Sequence, residues 1–271
     1  MSTILLPKPA LGTPLNKGRL FSDGLIGNYL FNEAAGDKII DSSGYGNNGT
    51  AVGPVWTTRG LTFDGNDYVS IPDKDIFTMN DGFTIIANIY PTTINTEHVI
   101  VSKYFDEVPF NGEWLFELQS DGTMFAQCLD DAPSKRIRIT SSVTLSVNNW
   151  YQVAWTYDGF GVHTGLKLYK NGILDTSASS NQQSTFTAMS NYTANVEIGA
   201  GLRDSAFAAW FIGTIDGVSI YDRALLASEI RQFYIYQHNL LFPDPNEIAL
   251  RGGFVVPPAA TVGWWGWGWN P

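Results

Sequence analysis

Residues 150–176 read WYQVAWTYDGFGVHTGLKLYKNGILDT, and this stretch decides the fold class. Over its first eight residues, polar or small side chains such as Gln152 and Thr156 alternate with large apolar ones such as Trp155. A period of two places successive side chains on opposite faces of a β-strand. The Asn171-Gly172 pair separates two further short runs, and an Asn-Gly pair in such a position predicts a tight hairpin turn. The stretch therefore predicts antiparallel strands.

The same pattern recurs along most of the chain. Short runs rich in Val, Ile, Tyr, Phe and Trp lie between 27 glycines and 13 prolines, and together they predict about a dozen strands. An Asp121-Gly122 pair predicts a second hairpin between residues 114–118 and 123–128. Residues 227–238 have apolar side chains at helical spacing and predict one short helix. We expect an all-β fold, an antiparallel sandwich or barrel.

Composition excludes several classes of protein. The chain has 271 residues, of which 44% are hydrophobic and only 15% charged, so it is neither a disordered acidic chain nor a coiled coil. A net charge of −10 makes nucleic acid and anionic membranes poor partners. Cys128 is the single cysteine, which leaves no disulfide framework. We find no secretory signal and no apolar span of about 20 residues, so membrane insertion is not expected.

Three regions differ in composition. Residues 1–22 contain three prolines without strand alternation and are predicted to form an extended arm. Residues 23–242 hold the predicted strands and the helix. Residues 243–271 form a Gly-, Pro- and Trp-rich tail, and its last 20 residues carry no charged side chain.

Seven sequence pieces carry a family resemblance through their order along the chain. They are residues 24–33 (GLIGNYLFNE), 41–50 (DSSGYGNNGT), 61–69 (LTFDGNDYV), 83–85 (FTI), 150–159 (WYQVAWTYDG), 168–172 (LYKNG) and 213–225 (GTIDGVSIYDRAL). Together they resemble the laminin-G-like, concanavalin A-like jelly-roll family. The resemblance implies an antiparallel two-sheet jelly-roll sandwich with one C-terminal helix and extended N- and C-terminal arms. It is far less specific for function, because one fold hosts many activities.

The resemblance implies one structural calcium ion. Asp41, Asn47 and Asp216 lie in the matching elements, and their side chains offer the oxygen ligands that calcium prefers. The alternative is that Asp41 and Asn47 shape a Gly-rich turn through side chain to backbone hydrogen bonds, and that Asp216 does the same at the start of a strand.

Glycan binding is a second candidate, since lectins of this architecture stack sugars on aromatic rings. Most aromatic residues fall in alternating strands and are expected to pack in the sheets. Five lie in or beside predicted loops and are the candidate glycan-binding residues: Trp56, Tyr104, Phe105, Phe110 and Trp210.

Catalysis has little support. A sandwich glycosidase needs two carboxylates about 5–9 Å apart, and Glu113 and Glu117 on one strand face are the nearest match. Leu115 stands between them, where glycosidases of this fold usually carry an acidic residue. The three histidines share no motif, and no nucleophile or phosphate-binding motif occurs. We therefore expect no catalytic residues and a protein that is not an enzyme.

The tail contains four tryptophans spaced by glycines, Trp264, Trp265, Trp267 and Trp269. Exposed together on a monomer they would promote aggregation, so we expect them to be buried. Docked on a neighbouring subunit, they would form an assembly interface, since Trp is a strong interface anchor. Folded back on their own sandwich, they would form a strap.

Laminin-G-like chains of bacteriophages often open with a Pro-rich arm and close with a short tail, which this chain resembles. That resemblance implies a non-enzymatic virion structural protein, a capsid decoration or a fibre or tail component, on the virion surface. Its partners would be other virion proteins, copies of itself in a homo-oligomer, and cell-surface polysaccharide. The alternative is a free carbohydrate-binding module or lectin.

Overall fold

The computed structural model describes residues 8–11, 13, 21–106, 111–132, 134–203 and 206–236. Within these ranges the chain forms 19 β-strands and one α-helix. In chain order they are β1 (Leu25–Tyr29), β2 (Lys38–Ile39), β3 (Gly49–Val52), β4 (Val55–Thr57), β5 (Gly60–Asp64), β6 (Tyr68–Ile71), β7 (Phe83–Pro91), β8 (His98–Asp106), β9 (Asn111–Leu118), β10 (Thr123–Leu129), β11 (Arg136–Thr144), β12 (Tyr151–Tyr157), β13 (Lys167–Lys170), β14 (Ile173–Leu174), β15 (Ser179–Gln183), β16 (Val196–Ile198), β17 (Gly201–Arg203), β18 (Ala206–Ala208), β19 (Ile212–Tyr221) and α1 (Ala227–Tyr236).

The strands form two sheets that pack face to face. The smaller sheet has eight strands in the order β14-β13-β12-β7-β19-β5-β4, with β1 also paired to β19. The larger sheet has eleven strands in the order β15-β11-β10-β9-β8-β16-β6-β3-β2, with β17 and β18 attached beside β8. Among the described strands, β17 is parallel to β8 and the other pairings are antiparallel. The predicted all-β two-sheet sandwich with one short C-terminal helix is confirmed.

The two predicted hairpin turns differ in length. Asn171 and Gly172 have φ angles of 53° and 71°, the left-handed pair that a two-residue turn between β13 and β14 requires. At the second turn the Gln119 N–H donates to the carbonyl of Thr123 at 2.8 Å, so four residues rather than two form the connection. Gly122 supplies its left-handed position, with φ at 83°.

The core lies between the sheets and is rich in aromatic side chains. Phe83 and Trp155 from the smaller sheet meet edge to face, with ring centroids 4.6 Å apart. Trp114 reaches the same cluster from the larger sheet and donates its indole N–H to the carbonyl of Phe77 at 3.0 Å. Aromatic pairs in such arrangements contribute about 0.5–1.5 kcal/mol beyond the burial of their area.

The outer face of the smaller sheet is covered by helix α1. Ile230 and Phe233 of the helix pack on Ile86 and Tyr169 of the sheet. Phe21, which falls within the predicted arm, joins this cluster and meets the ring of Phe233 edge to face, with centroids 6.4 Å apart. The helix is tied at its start by the carboxylate of Glu229, which accepts the N–H of Leu226 at 2.7 Å. Among the described residues, no helix has the length and hydropathy needed to span a membrane.

Candidate functional site

A groove of about 290 Å³ lies on the outer face of the larger sheet. Its walls come from four consecutive strands, β8 to β11, and from the residues at the ends of β8 and β9. The volume is at the lower end of the range for small-ligand sites. The lining residues are Glu97, Tyr104, Leu115, Glu117, Gln119, Phe125, Gln127, Arg136 and Arg138.

The alternation of the strands explains why these side chains share one surface. In β9, Trp114, Phe116 and Leu118 belong to the core between the sheets. Leu115 and Glu117 therefore point to the opposite, outer face. The pairing register then places Leu115, Gln127 and Arg138 in one row across β9, β10 and β11. The groove is thus built from the non-core positions of three paired strands.

The middle of the groove combines apolar and polar groups. Tyr104 and Leu115 belong to a small buried cluster on this outer face, and Phe125 is half-buried beside Glu117, its partner across the strands. Glu117 is 2% exposed, and one of its carboxylate oxygens accepts the side-chain N–H of Gln119 at 2.5 Å. An apolar floor with a few fixed polar groups is typical of a site for a small polar ligand.

Two arginines form the β11 end of the groove. The Nε–H of Arg136 donates to Gln183 at 2.9 Å, and the Nε–H of Arg138 donates to Asn181 at 2.7 Å. A terminal nitrogen of Arg136 also lies 3.4 Å from the side-chain oxygen of Gln127. Burial and the neighbouring charge of Arg138 lower the pKa of the Arg136 guanidinium from its ordinary value.

The aromatic residues singled out from the sequence do not share one site. Tyr104 lines the groove. Trp56 lies on β4 of the smaller sheet, packs partly on the core and donates its indole N–H to the carbonyl of Gly36 at 2.8 Å. Trp210 lies beside Tyr68, with ring centroids 6.3 Å apart. The side chain of Phe105 and all of Phe110 lie outside the described residues, as do the tail tryptophans Trp264, Trp265, Trp267 and Trp269.

The other seven groove residues were not predicted as site residues, because aromatic residues near loops are the usual signal for a sugar site and these residues lie in or beside strands. The available signal was the polar half of the alternation in residues 123–129 and 136–140, where Gln127, Arg136 and Arg138 occupy the positions that do not face the core. Arginine and amide side chains at successive alternate positions mark a strand face that is solvated or binds a polar ligand.

Glu113 and Glu117 have different environments. Glu113 is fully buried and forms an ion pair with the buried ammonium of Lys103, while it also accepts the N–H of Tyr192 at 2.9 Å. Lys103 in turn contacts Asp73 at 2.9 Å. Burial raises the pKa of the Glu113 carboxyl, and the charge of Lys103 opposes part of that rise. Glu113 is thus engaged in an internal ionic cluster, and Glu117 alone of the two lines the groove.

Asp41 and Asn47 meet at a Gly-rich turn. One oxygen of Asp41 accepts the N–H groups of Asn28 and Ser43, at 3.0 and 2.8 Å. The other accepts the hydroxyl of Ser43 and the N–H of Asn47, at 2.7 and 2.9 Å. The side chain of Asn47 donates to the carbonyl of Ile26 at 2.8 Å. These contacts match the turn-shaping interpretation of both residues.

Asp216 has a cationic partner from the N-terminal arm. The Nζ of Lys8 lies 2.6 Å from its carboxylate and also donates to the carbonyls of Phe31 and Arg59, at 3.1 and 3.4 Å. A calcium ion at Asp216 would have to displace this ammonium, so the donors as placed do not fit the ion. Within the described ranges, no three His, Cys, Asp or Glu side chains gather as a metal-binding group. The predicted calcium ion stays a prediction.

Solved structures with the same fold include enzymes and binding domains. A mutant of Trypanosoma rangeli sialidase displaying trans-sialidase activity superposes with a TM-score of 0.60 at 18% identity, over 82% of this chain and 34% of that one. The receptor binding domain of a botulinum neurotoxin C/D mosaic serotype gives 0.60 at 17% identity, over 80% of this chain and 52% of the other. The binding domain of botulinum neurotoxin serotype G gives 0.58 at 19% identity, over 79% and 51%.

These similarities are evidence for the fold alone, and the chain spans about a third of the sialidases and about half of the toxin domains. No curated protein sequence matches the chain. A laminin G family model, described as the concanavalin A-like lectin/glucanases superfamily, matches residues 63–231. That match includes β7 to β19 and every residue of the groove. The chain belongs to the concanavalin A-like lectin/glucanase superfamily.

Proposed function

We propose that this chain is a non-enzymatic glycan-binding protein and that the groove of the larger sheet is its saccharide site. The composition of the groove is the observation that supports this most directly. Tyr104 and Phe125 offer ring surfaces, while Glu117, Gln127 and Arg138 offer fixed acceptors and donors in the same 290 Å³. Saccharide sites need this combination, since a sugar ring has apolar C–H faces and a rim of hydroxyl groups.

The comparisons support a binding role at the level of the superfamily. The description of that superfamily names lectins as well as glucanases, and the two toxin neighbours are binding domains. Hydrolysis would need two carboxylates that flank the scissile bond. Glu113 is withdrawn into the pair with Lys103, and the two groove carboxylates, Glu97 and Glu117, lie together at the β8–β9 side. This arrangement favours binding over cleavage.

A glycan microarray probed with the full chain, followed by calorimetric titration of the best saccharide, tests the proposal. Phe125→Ala removes a ring from the groove and should weaken binding by about three- to tenfold. Phe160→Ala is the matched control, because this phenylalanine is 81% exposed and lies outside the groove. Absence of binding on the array, or equal loss in both variants, would contradict the proposed site. Cleavage of the bound saccharide that Glu117→Gln abolishes would make the protein an enzyme.

We further propose that the glycan-binding sandwich is displayed on a bacteriophage particle, with the C-terminal tail as its assembly device. The support is the sequence of the tail, whose last 20 residues combine four tryptophans with no charge. Light scattering should give an oligomeric mass for the full chain and a monomeric mass when the four tryptophans are changed to serine. Monomers in both cases would favour a free carbohydrate-binding module whose tail is a strap.

A further inference from the structure

The two arginines at the β11 end of the groove occupy equivalent positions. Arg136 and Arg138 are two residues apart on one strand, so their side chains leave the same face of the sheet. Both line the groove, and neither belongs to the core. The groove therefore ends in a doubly cationic wall.

Neutral amides from the next strand hold both guanidinium groups. In the β11–β15 register, Arg136 lies opposite Gln183 and Arg138 lies opposite Asn181. Each arginine donates its Nε–H to the amide oxygen of that partner, at 2.9 and 2.7 Å. Fixing Nε orients the planar fork of an arginine and leaves its terminal N–H groups to bind a ligand, apart from the Arg136 nitrogen that lies 3.4 Å from Gln127. The same contact occurs at Arg136 and at Arg138, so the two guanidinium groups are held in parallel as one wall of the groove.

No carboxylate of the described residues forms a salt bridge with Arg136 or Arg138. Carboxylates are not scarce, since the chain has 26 acidic and 16 basic residues, yet none of the described ones is placed to neutralise this wall. The two like charges also disfavour each other, and partial burial of Arg136 adds to that cost. A ligand anion placed between them would relieve both effects.

The opposite side of the groove has the other sign of charge. Glu97 and Glu117 lie towards β8 and β9, and Glu117 is almost completely buried. A ligand that spans the groove must therefore bring an anionic group to β11 and hydrogen-bond donors to β9. A sugar acid has both, a carboxylate and several hydroxyls, whereas a densely sulfated chain would bring anions to Glu97 and Glu117 as well.

We propose that the groove selects a saccharide containing a carboxylated sugar, with the carboxylate bound by Arg136 and Arg138 and the hydroxyls directed to Glu117. This inference rests on the proposed glycan-binding function and specifies its ligand class. Arginine recognises a carboxylate through paired, charge-assisted hydrogen bonds, which are about twice as strong as neutral ones. Charge therefore decides which sugar is bound, and the rings of Tyr104 and Phe125 add affinity without that selectivity.

The full chain is titrated with two matched pairs of saccharides, sialyllactose against lactose and tetragalacturonic acid against its methyl ester, together with a heparin tetrasaccharide. In at least one pair, the acidic member should bind at least about tenfold more tightly than its neutral partner. Arg138→Gln should remove that preference, because it should weaken binding of the acidic member at least about tenfold more than binding of the neutral member. Arg231→Gln, on the exposed side of α1, is the matched control and should change neither.

The outcomes separate this inference from the proposed function. If neutral saccharides bind in a manner that Phe125→Ala weakens, and acidic ones bind no better, the selectivity is refuted while the glycan site stands. If the heparin tetrasaccharide binds most tightly and Arg138→Gln abolishes that binding, the carboxylate assignment is wrong. If none of the five saccharides binds although the array shows binding that Phe125→Ala weakens, the selectivity is refuted and the glycan site stands; if the array shows no binding either, both are contradicted. An unchanged acidic preference in Arg138→Gln combined with Arg136→Gln would also refute the role of this wall.

Discussion

Replacing Glu197 with glutamine should stabilise the folded chain above pH 8 and leave its stability almost unchanged near pH 4. Glu197 is 2% exposed and lies on β16, opposite Ser70 on one side and Ser102 on the other. One carboxyl oxygen accepts the hydroxyl of Ser70 at 2.9 Å. The other is buried and accepts no hydrogen bond from the described residues. Burial of this group raises its pKa from 4.5 to about 8.

The sign and size of the effect follow from that pKa. Because the folded value lies above the unfolded one, the contribution to stability is complete below 4.5 and is lost as the pH rises through 8. One pKa unit corresponds to about 1.4 kcal/mol, so ionisation costs the folded state up to about 5 kcal/mol. Glutamine has the shape of the protonated carboxyl and no charge. The variant should therefore exceed the original chain by about 3–5 kcal/mol at alkaline pH.

Urea unfolding followed by tryptophan fluorescence, repeated from acid to alkaline pH, measures the difference in free energy of unfolding between the two chains. That difference should grow with pH and level off above 8. Asp37→Asn, at an exposed position, is the control and should give a nearly constant difference. A pH-independent difference for Glu197→Gln, or one that grows towards acid, would refute the reasoning.

Three further predictions concern other buried groups. Lys103→Met should destabilise the chain by about 3–5 kcal/mol in urea unfolding, because Glu113 would lose its buried cation. Adding Glu113→Leu should recover most of that loss. A Lys103→Met chain as stable as the original would show that the pair does not stabilise the fold. Lys8→Met should free the Asp216 carboxylate, so calcium should raise the thermal midpoint of this variant more than that of the original chain. If calcium raises the thermal midpoints of both chains equally, Asp216 is not a calcium ligand. Cys128 is completely buried, which raises the pKa of its thiol. A thiol reagent should therefore modify it only as fast as the chain unfolds. Rapid modification without urea would contradict the packing.

The sandwich could be predicted from the sequence because its local signals agree with each other. Alternation fixes which residues are strands, and the Asn171-Gly172 pair supplies the two left-handed residues that join β13 to β14. The Asp121-Gly122 turn was harder, since Gly122 satisfies a four-residue loop as well as a two-residue one. Turn length depends on which residues pair across the strands, and a dipeptide does not determine that register.

The groove could be predicted only in part, because the polar half of the alternation in β10 and β11 marks a solvated face without showing which residues of β8 and β9 share it. Strand β8 also breaks the alternation. Its register shifts between Val99 and Val101 and again between Lys103 and Tyr104. Val99 and Tyr104 therefore share the outer face although they are five residues apart. At the first shift the extra residue, Ile100, lies in β8 and re-aims the residues after it, so that Tyr104 faces the groove; at the second the extra residue, Glu113, lies in β9.

Whether a charged residue of the larger sheet is paired inside the protein depends on what covers it. Tyr192 lies over Lys103 and Glu113, accepting from the ammonium at 2.6 Å and donating to the carboxylate at 2.9 Å, and there the charges are buried as an internal pair. On the outer face at β11, the hydrogen-bond partners of Arg136 and Arg138 among the described residues are neutral amides. Charges removed from water must be paired within the protein, whereas charges at an open groove remain available to a ligand. The cover comes from a segment about 90 residues distant in sequence from Lys103, so strand patterns alone could not distinguish the structural charges from the binding ones. The proposed binding surface therefore rests on the two arginines that no described carboxylate neutralises, and the loop aromatics Trp56 and Trp210 lie away from it.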